Sequence, residues 1–211
     1  YNAVRTVAAI ARSRDSALAD RLDGIADRIY ESFNRRFRSP DLDYLADFVD
    51  GPAGDDWTMR PNQIFAISLP EPLLADESAR RVLEAVGRSL YTSYGLRSLA
   101  PSDPAYRGDY VGDRVQRDGG YHQGPVWCWL IGPYIEAHLK INRRPEQALE
   151  FLRPLRDHLF DAGLGSISEI MEGHAPHRPR GCIAQAWSVA EAYRVWRLLL
   201  GELHRERSTC M

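Results

Sequence analysis

The chain has 211 residues, 44% of them hydrophobic and 27% charged, which is the composition of a globular domain large enough to bury a core. A formal net charge of −2 carries no polyanion-binding signature and gives nucleic-acid binding little support, since the arginines are interspersed with acids and Lys140 is the only lysine. No apolar run approaches the ~20 residues that span a bilayer, no signal peptide is visible, and three cysteines without CxxC spacing suit a reducing, cytoplasmic compartment.

The predicted elements are nearly all helical. Residues 1–13 carry Val4, Val7, Ala8 and Ile10 at helical spacing, without an initiating Met, so the chain is expected to belong to something longer. A second helix is capped by Asp15, runs through Leu18, Leu22, Ile25, Ile29 and Phe33, and stops near Phe37 before Ser39-Pro40. Residues 41–58 read as loop, and a short helix begins at Pro61. Residues 76–93 predict a helix with Val82, Leu83, Val86 and Leu90 on one face. A polar, tyrosine-bearing loop spans 94–123, and loops of that length in compact domains are usually functional when they are ordered. Helices are expected at 124–141, 145–161 and 182–202, with a second polar loop at 162–181. About seven helices joined by long loops suggest an all-α chain resembling roughly half of an (α/α)6 toroid, its site built by loops on one rim; a plain helical bundle is the alternative on pattern alone.

Chemistry concentrates at three helix entrances. In RDGGYHQGPVWCW, the aromatic faces of Tyr121 and Trp127 suit the apolar face of a sugar ring, while His122, Gln123 and Asp118 supply groups for its hydroxyls. Asp103, Asp109 and Asp113 fit better as loop staples paired with Arg107, Arg114 and Arg117. Arg60, Asn62 and Gln63 form a second cluster of candidate sugar contacts. The third lies around Glu169, with Gln185 and Trp187 downstream as further candidate sugar contacts. A lone loop glutamate is more often solvated than catalytic, and this polar, aromatic company is what raises Glu169 above that reading. Glu172, before Gly173, looks like a loop-surface residue. His174 and His177 lack a third ligand and are split by Pro176, so no metal or cofactor is expected. Cys128 and Cys182 read as small apolar fillers.

The segments YNAV, MRPNQIFAISLP, YGLRSLAPSDPAYRGDYVGDRVQRDGGYHQGPVWCWLIGPYIEA and GSISEIMEGHAPHRPRGCIAQAWSVAE, in this order, resemble the amylo-α-1,6-glucosidase domain of glycogen debranching enzymes, in its bacterial and archaeal form. The resemblance implies an (α/α)6 glycoside hydrolase acting on α-1,6-linked glucose in glycogen or branched α-glucan oligosaccharides. It also implies an inverting two-carboxylate mechanism with Glu169 as general base. The family's general acid is an aspartate upstream of the YNA element, so residues 1–211 are expected to be the C-terminal part of the catalytic domain, inactive without its upstream remainder. The alternatives are a non-catalytic glucan-binding remnant or another toroid glucosidase of trehalase-like type.

Overall fold

The computed structural model describes residues 1–209; Cys210 lies outside the described residues. The first helices, α1 (Asn2–Ala11) and α2 (Ser16–Arg36), form a helical hairpin. Asp15 caps α2 as expected, its carboxylate accepting the Leu18 N–H at 2.9 Å. The buried residues of the pair are small (Ala8, Ala19 and Ala26), which lets the two backbones approach closely. Arg5 bridges Asp23 at 2.8 Å and Asp27 at 2.6 Å, and Arg12 bridges Asp20 and Asp23. The hairpin is tied to the body by Asn34, whose amide donates to the Leu73 carbonyl at 2.8 Å, and by Asn2, which exchanges two bonds with the Glu71 backbone.

The stretch expected as loop at 41–58 contains a hairpin of β1 (Phe48–Gly51) and β2 (Gly54–Asp56). Pro61 opens a 3₁₀ turn, Pro61–Ile64, that runs into α3 (Phe65–Ser68). Helix α4 (Asp76–Ser89) buries Val82, Leu83 and Val86, followed by Leu90, the face its periodicity predicted.

A five-stranded antiparallel sheet follows, in the order β3 (Tyr91–Thr92), β4 (Gly95–Arg97), β5 (Val126–Trp127), β6 (Ile170–Met171) and β7 (Pro179–Arg180). The all-α expectation is therefore corrected: the chain is mainly helical and carries two small sheets. Strands of two or three residues are too short to show an alternating pattern. Gly95 is required where β4 meets β5, because a Cβ there would lie 2.4 Å from the Trp127 carbonyl oxygen.

Helix α5 (Arg114–Gly120), inside the first long loop, starts at a capping box of Asp113 and Gln116. Helix α6 (Ile131–Asn142) follows a 3₁₀ turn at Cys128–Leu130. The single helix expected at 145–161 is two, α7 (Pro145–Glu150) and α8 (Arg153–His158); Pro154 lacks an N–H and suits only a first turn, so the helix restarts there. Helix α9 (Ala186–Thr209) closes the described residues. Of these helices, α6 packs against β4 and against α9. Leu96, Val126, Ile131, Ile135, Ile170 and Leu199 are fully buried where sheet, α6 and α9 meet. Among the described residues, no helix is long and apolar enough to cross a membrane.

Candidate active site

Glu169 precedes β6 in an extended segment held on both sides. Its N–H donates to the Cys182 carbonyl at 2.9 Å, and its own carbonyl accepts the Cys128 N–H at 3.4 Å. The half-buried carboxyl receives three donors. Oε1 accepts the Tyr121 hydroxyl at 2.5 Å and the Gln185 amide at 3.0 Å, and Oε2 accepts the Cys182 backbone N–H at 3.0 Å. Three donors on one carboxyl suit its ionised form, which only accepts. Burial, then the Glu169 carboxylate itself, push the Tyr121 phenol well above its ordinary range, so Tyr121 stays protonated and keeps donating. The Cys182 N–H reaches Oε2 because Gly181 turns the chain with φ +67°; a Cβ there would lie 2.4 Å from Oε2.

An aromatic platform adjoins the carboxyl. The His122 ring stacks on Trp127 at 5.1 Å and 8°, and Tyr121 meets Trp127 edge-on at 4.8 Å. Trp127 is buried beneath, its indole N–H donating to the Tyr121 carbonyl at 3.3 Å. Trp187, 45% exposed, stacks on Trp129 at 5.2 Å and stands edge-on to Trp127 at 5.7 Å. His122 and Trp187 thus offer ring surface to solvent near Glu169, with Tyr110 tilted against Tyr121 at 5.5 Å.

The Arg60 cluster joins the same rim. Its guanidinium donates to the carbonyls of Ser98 at 3.0 Å and His122 at 2.8 Å, and to Gln123 Oε1 at 3.0 Å. Arg60 and Gln123, expected as sugar contacts, therefore hold each other. Asn62 is exposed and donates to Asp47 at 2.7 Å. Gln63 is buried: its amide donates to the Arg60 carbonyl and its oxygen accepts the Leu45 N–H, so it supports the clasp from below. Asp118 is exposed and pairs with Arg114 at 3.4 Å instead of facing the carboxyl. Asp113 caps α5, Asp103 accepts the Ala105 N–H and Asp109 faces His174 at 3.1 Å, so all three hold the loop through backbone groups and a histidine instead of the expected arginines.

Two expectations need correction. Glu172 is not on the loop surface: it is buried at the end of β6, and Arg180 of β7 clamps its Oε1 with contacts of 2.9 and 2.7 Å. Cys182 is an exposed residue whose backbone, not its side chain, serves the site, whereas Cys128 is fully buried and burial raises its thiol. His174 and His177 do not converge, since His177 Nδ1 faces the Glu172 carbonyl, and the described residues contain no group of three residues placed to hold a metal ion. The sequence reading missed Tyr110, Gly181 and the Cys182 N–H; only the Arg-Gly-Cys turn marked the last two.

Comparison with known proteins bears on this geometry. The chain is 32% identical over 111 residues to the glycogen debranching enzyme of Saccharomyces cerevisiae, an alignment covering 48% of this chain and 7% of that protein. The chain thus spans a small part of the relative it matches. Residues 1–194, which contain the whole constellation around Glu169, match the profile of the amylo-alpha-1,6-glucosidase family, and the chain belongs to that family.

Proposed function

We propose that this chain forms part of an inverting glycoside hydrolase that removes α-1,6-linked glucose from glycogen or branched α-glucan oligosaccharides, with Glu169 as general base. The observation that carries the reading is the Glu169 carboxyl, held by Tyr121, Gln185 and the Cys182 N–H beside exposed aromatic rings. In the step, a water oxygen bonds to the anomeric carbon on the face opposite the leaving group. Glu169 takes a proton from that water while the glycosidic C–O bond breaks, and a second carboxyl protonates the departing oxygen. Inversion places the two carboxyls ~6.5–9.5 Å apart with the water between base and sugar.

The acid belongs to the upstream remainder of an (α/α)6 domain, as the family resemblance implies. An exposed apolar stripe on α9 (Val189, Tyr193, Trp196 and Leu200, at helical spacing) supports further helices packing against this face. Without that acid the leaving oxygen would depart unprotonated, forfeiting ~10²–10⁴-fold in rate. Trp187 and His122 act as sugar platforms, Tyr121 orients the base, and Arg60 and Gln123 fix the loop that carries Tyr121. A cytoplasmic setting follows from the substrate class.

Proton NMR of the first-formed glucose from branched limit dextrin tests this in the complete protein. β-Glucose at early times is expected, and α-glucose would contradict inversion. Faster release from trehalose or maltose than from limit dextrin would move the assignment to another toroid glucosidase.

A further inference from the structure

His158 is the last residue of α8, and its side chain is 1% exposed. Its Nε2 lies 3.3 Å from the Ser168 backbone nitrogen and 3.1 Å from Ser168 Oγ. A backbone amide only donates, so Nε2 carries the lone pair and the neutral ring keeps its proton on Nδ1. Ser168 is completely buried and immediately precedes Glu169. The bond therefore anchors the chain one residue before the carboxyl. The Cys182 and Cys128 contacts hold Glu169 itself.

Resting on the reading of Glu169 as base, we propose that His158 is a positioning residue: as a neutral acceptor it holds the Ser168 amide and so fixes the Glu169 carboxylate, and a proton on Nε2 releases that hold. A protonated Nε2 can no longer accept the buried Ser168 N–H 3.3 Å away and donates instead to the Ser168 Oγ at 3.1 Å, so the backbone amide loses its partner. The titratable groups around His158 are few. Asp161 Oδ2, in the turn after α8, lies 3.9 Å from Nδ1 and is well exposed. The Tyr94 ring stands edge-on at 6.1 Å, and His177 is edge-on to that same ring at 6.3 Å. Burial outweighs Asp161 and lowers the proton affinity of the ring, in keeping with a neutral resting state.

The test uses the complete protein with limit dextrin as substrate and three variants. His158→Leu removes the acceptor, His158→Gln keeps an acceptor that does not titrate, and Glu169→Gln reports on the base. At pH 7, His158→Leu is expected to lower kcat at least ~10-fold with KM within about twofold, while His158→Gln stays within about threefold of wild type. Between pH 7 and pH 5, His158→Gln is expected to lose a smaller fraction of its kcat than wild type. A His158→Leu kcat within about twofold of wild type overturns the proposal, as does an equal loss in both His158 variants. Should His158→Leu fail to fold, the pH comparison of His158→Gln with wild type decides alone, and identical profiles overturn it. An active Glu169→Gln enzyme sinks the base assignment itself; an inactive one beside a fully active His158→Leu enzyme sinks only the positioning role.

Discussion

Replacing Gly181 by alanine places a methyl carbon 2.4 Å from Glu169 Oε2 and 3.2 Å from Glu169 Cβ. An ordinary contact there is about 1 Å longer, so the carboxylate must move by roughly that distance, and misplacements of this size cost about 10²-fold in rate. The φ of +67° adds about 1 kcal/mol of strain for any residue with a Cβ. Gly165 supplies the control: its φ is +83°, yet a Cβ there meets nothing within 4 Å. Gly165→Ala and Gly181→Ala should therefore share the backbone strain and a similar small fall in Tm. Only Gly181→Ala should lose about 10²-fold in kcat for glucose release from limit dextrin. A Gly181→Ala enzyme within about threefold of Gly165→Ala would refute the claim that this turn presents the Cys182 N–H to a catalytic carboxylate.

Tyr121→Phe keeps the ring edge-on to Trp127 and removes one donor from Glu169; a hydrogen bond to a half-buried charge is worth ~1.5 kcal/mol, so kcat should fall roughly 10-fold with KM within about twofold. An unchanged kcat would mean that Tyr121 does not orient the base. Arg180→Met strands the buried Glu172 carboxylate and should cost about 2 kcal/mol, below the usual ~3–5 because Arg180 is one-third exposed, with Arg180→Met/Glu172→Met regaining most of the loss in Tm. If the double variant is no more stable than the single one, the stranded charge is not the cause. His138 packs against Tyr134 at 4.6 Å and Phe151 at 4.8 Å, and burial lowers it to about 4. Below about pH 6.5 the unfolded chain takes a proton that the folded ring refuses, so stability falls as pH drops from 6.5 towards 4, by up to about 3 kcal/mol. His158 acts in the same direction. His138→Gln should shrink the difference in denaturation midpoint between pH 7 and pH 4.5, and an undiminished difference would count against His138 as its source.

The helices were legible because their signals are local. Asp15 sits before a run with period 3.6, and Val82, Leu83, Val86 and Leu90 mark one face of α4. The sheet was not legible, because two-residue strands become strands only through partners such as Leu96 opposite Trp127 and Trp127 opposite Ile170. Glu172 was misread for the same reason: its partner Arg180 reaches it through the β6–β7 pairing, which no neighbouring residue announces. At the site, Glu169, Tyr121 and Gln185 were nameable from sequence and family resemblance, and the structure brings them within hydrogen-bond distance. Arg60 and Gln123, 63 residues apart, were each picked out as sugar contacts, but that they bond to one another follows from the fold alone.

The central claim is that Glu169 removes the proton from the attacking water. It is tested most directly by Glu169→Gln in the complete protein, measuring glucose release from limit dextrin beside oligosaccharide affinity. The amide still accepts from Tyr121 at its oxygen but is no base at neutral pH. The account predicts at least a ~10³-fold loss of turnover with oligosaccharide affinity within about threefold of wild type. Turnover within ten-fold of wild type would contradict it.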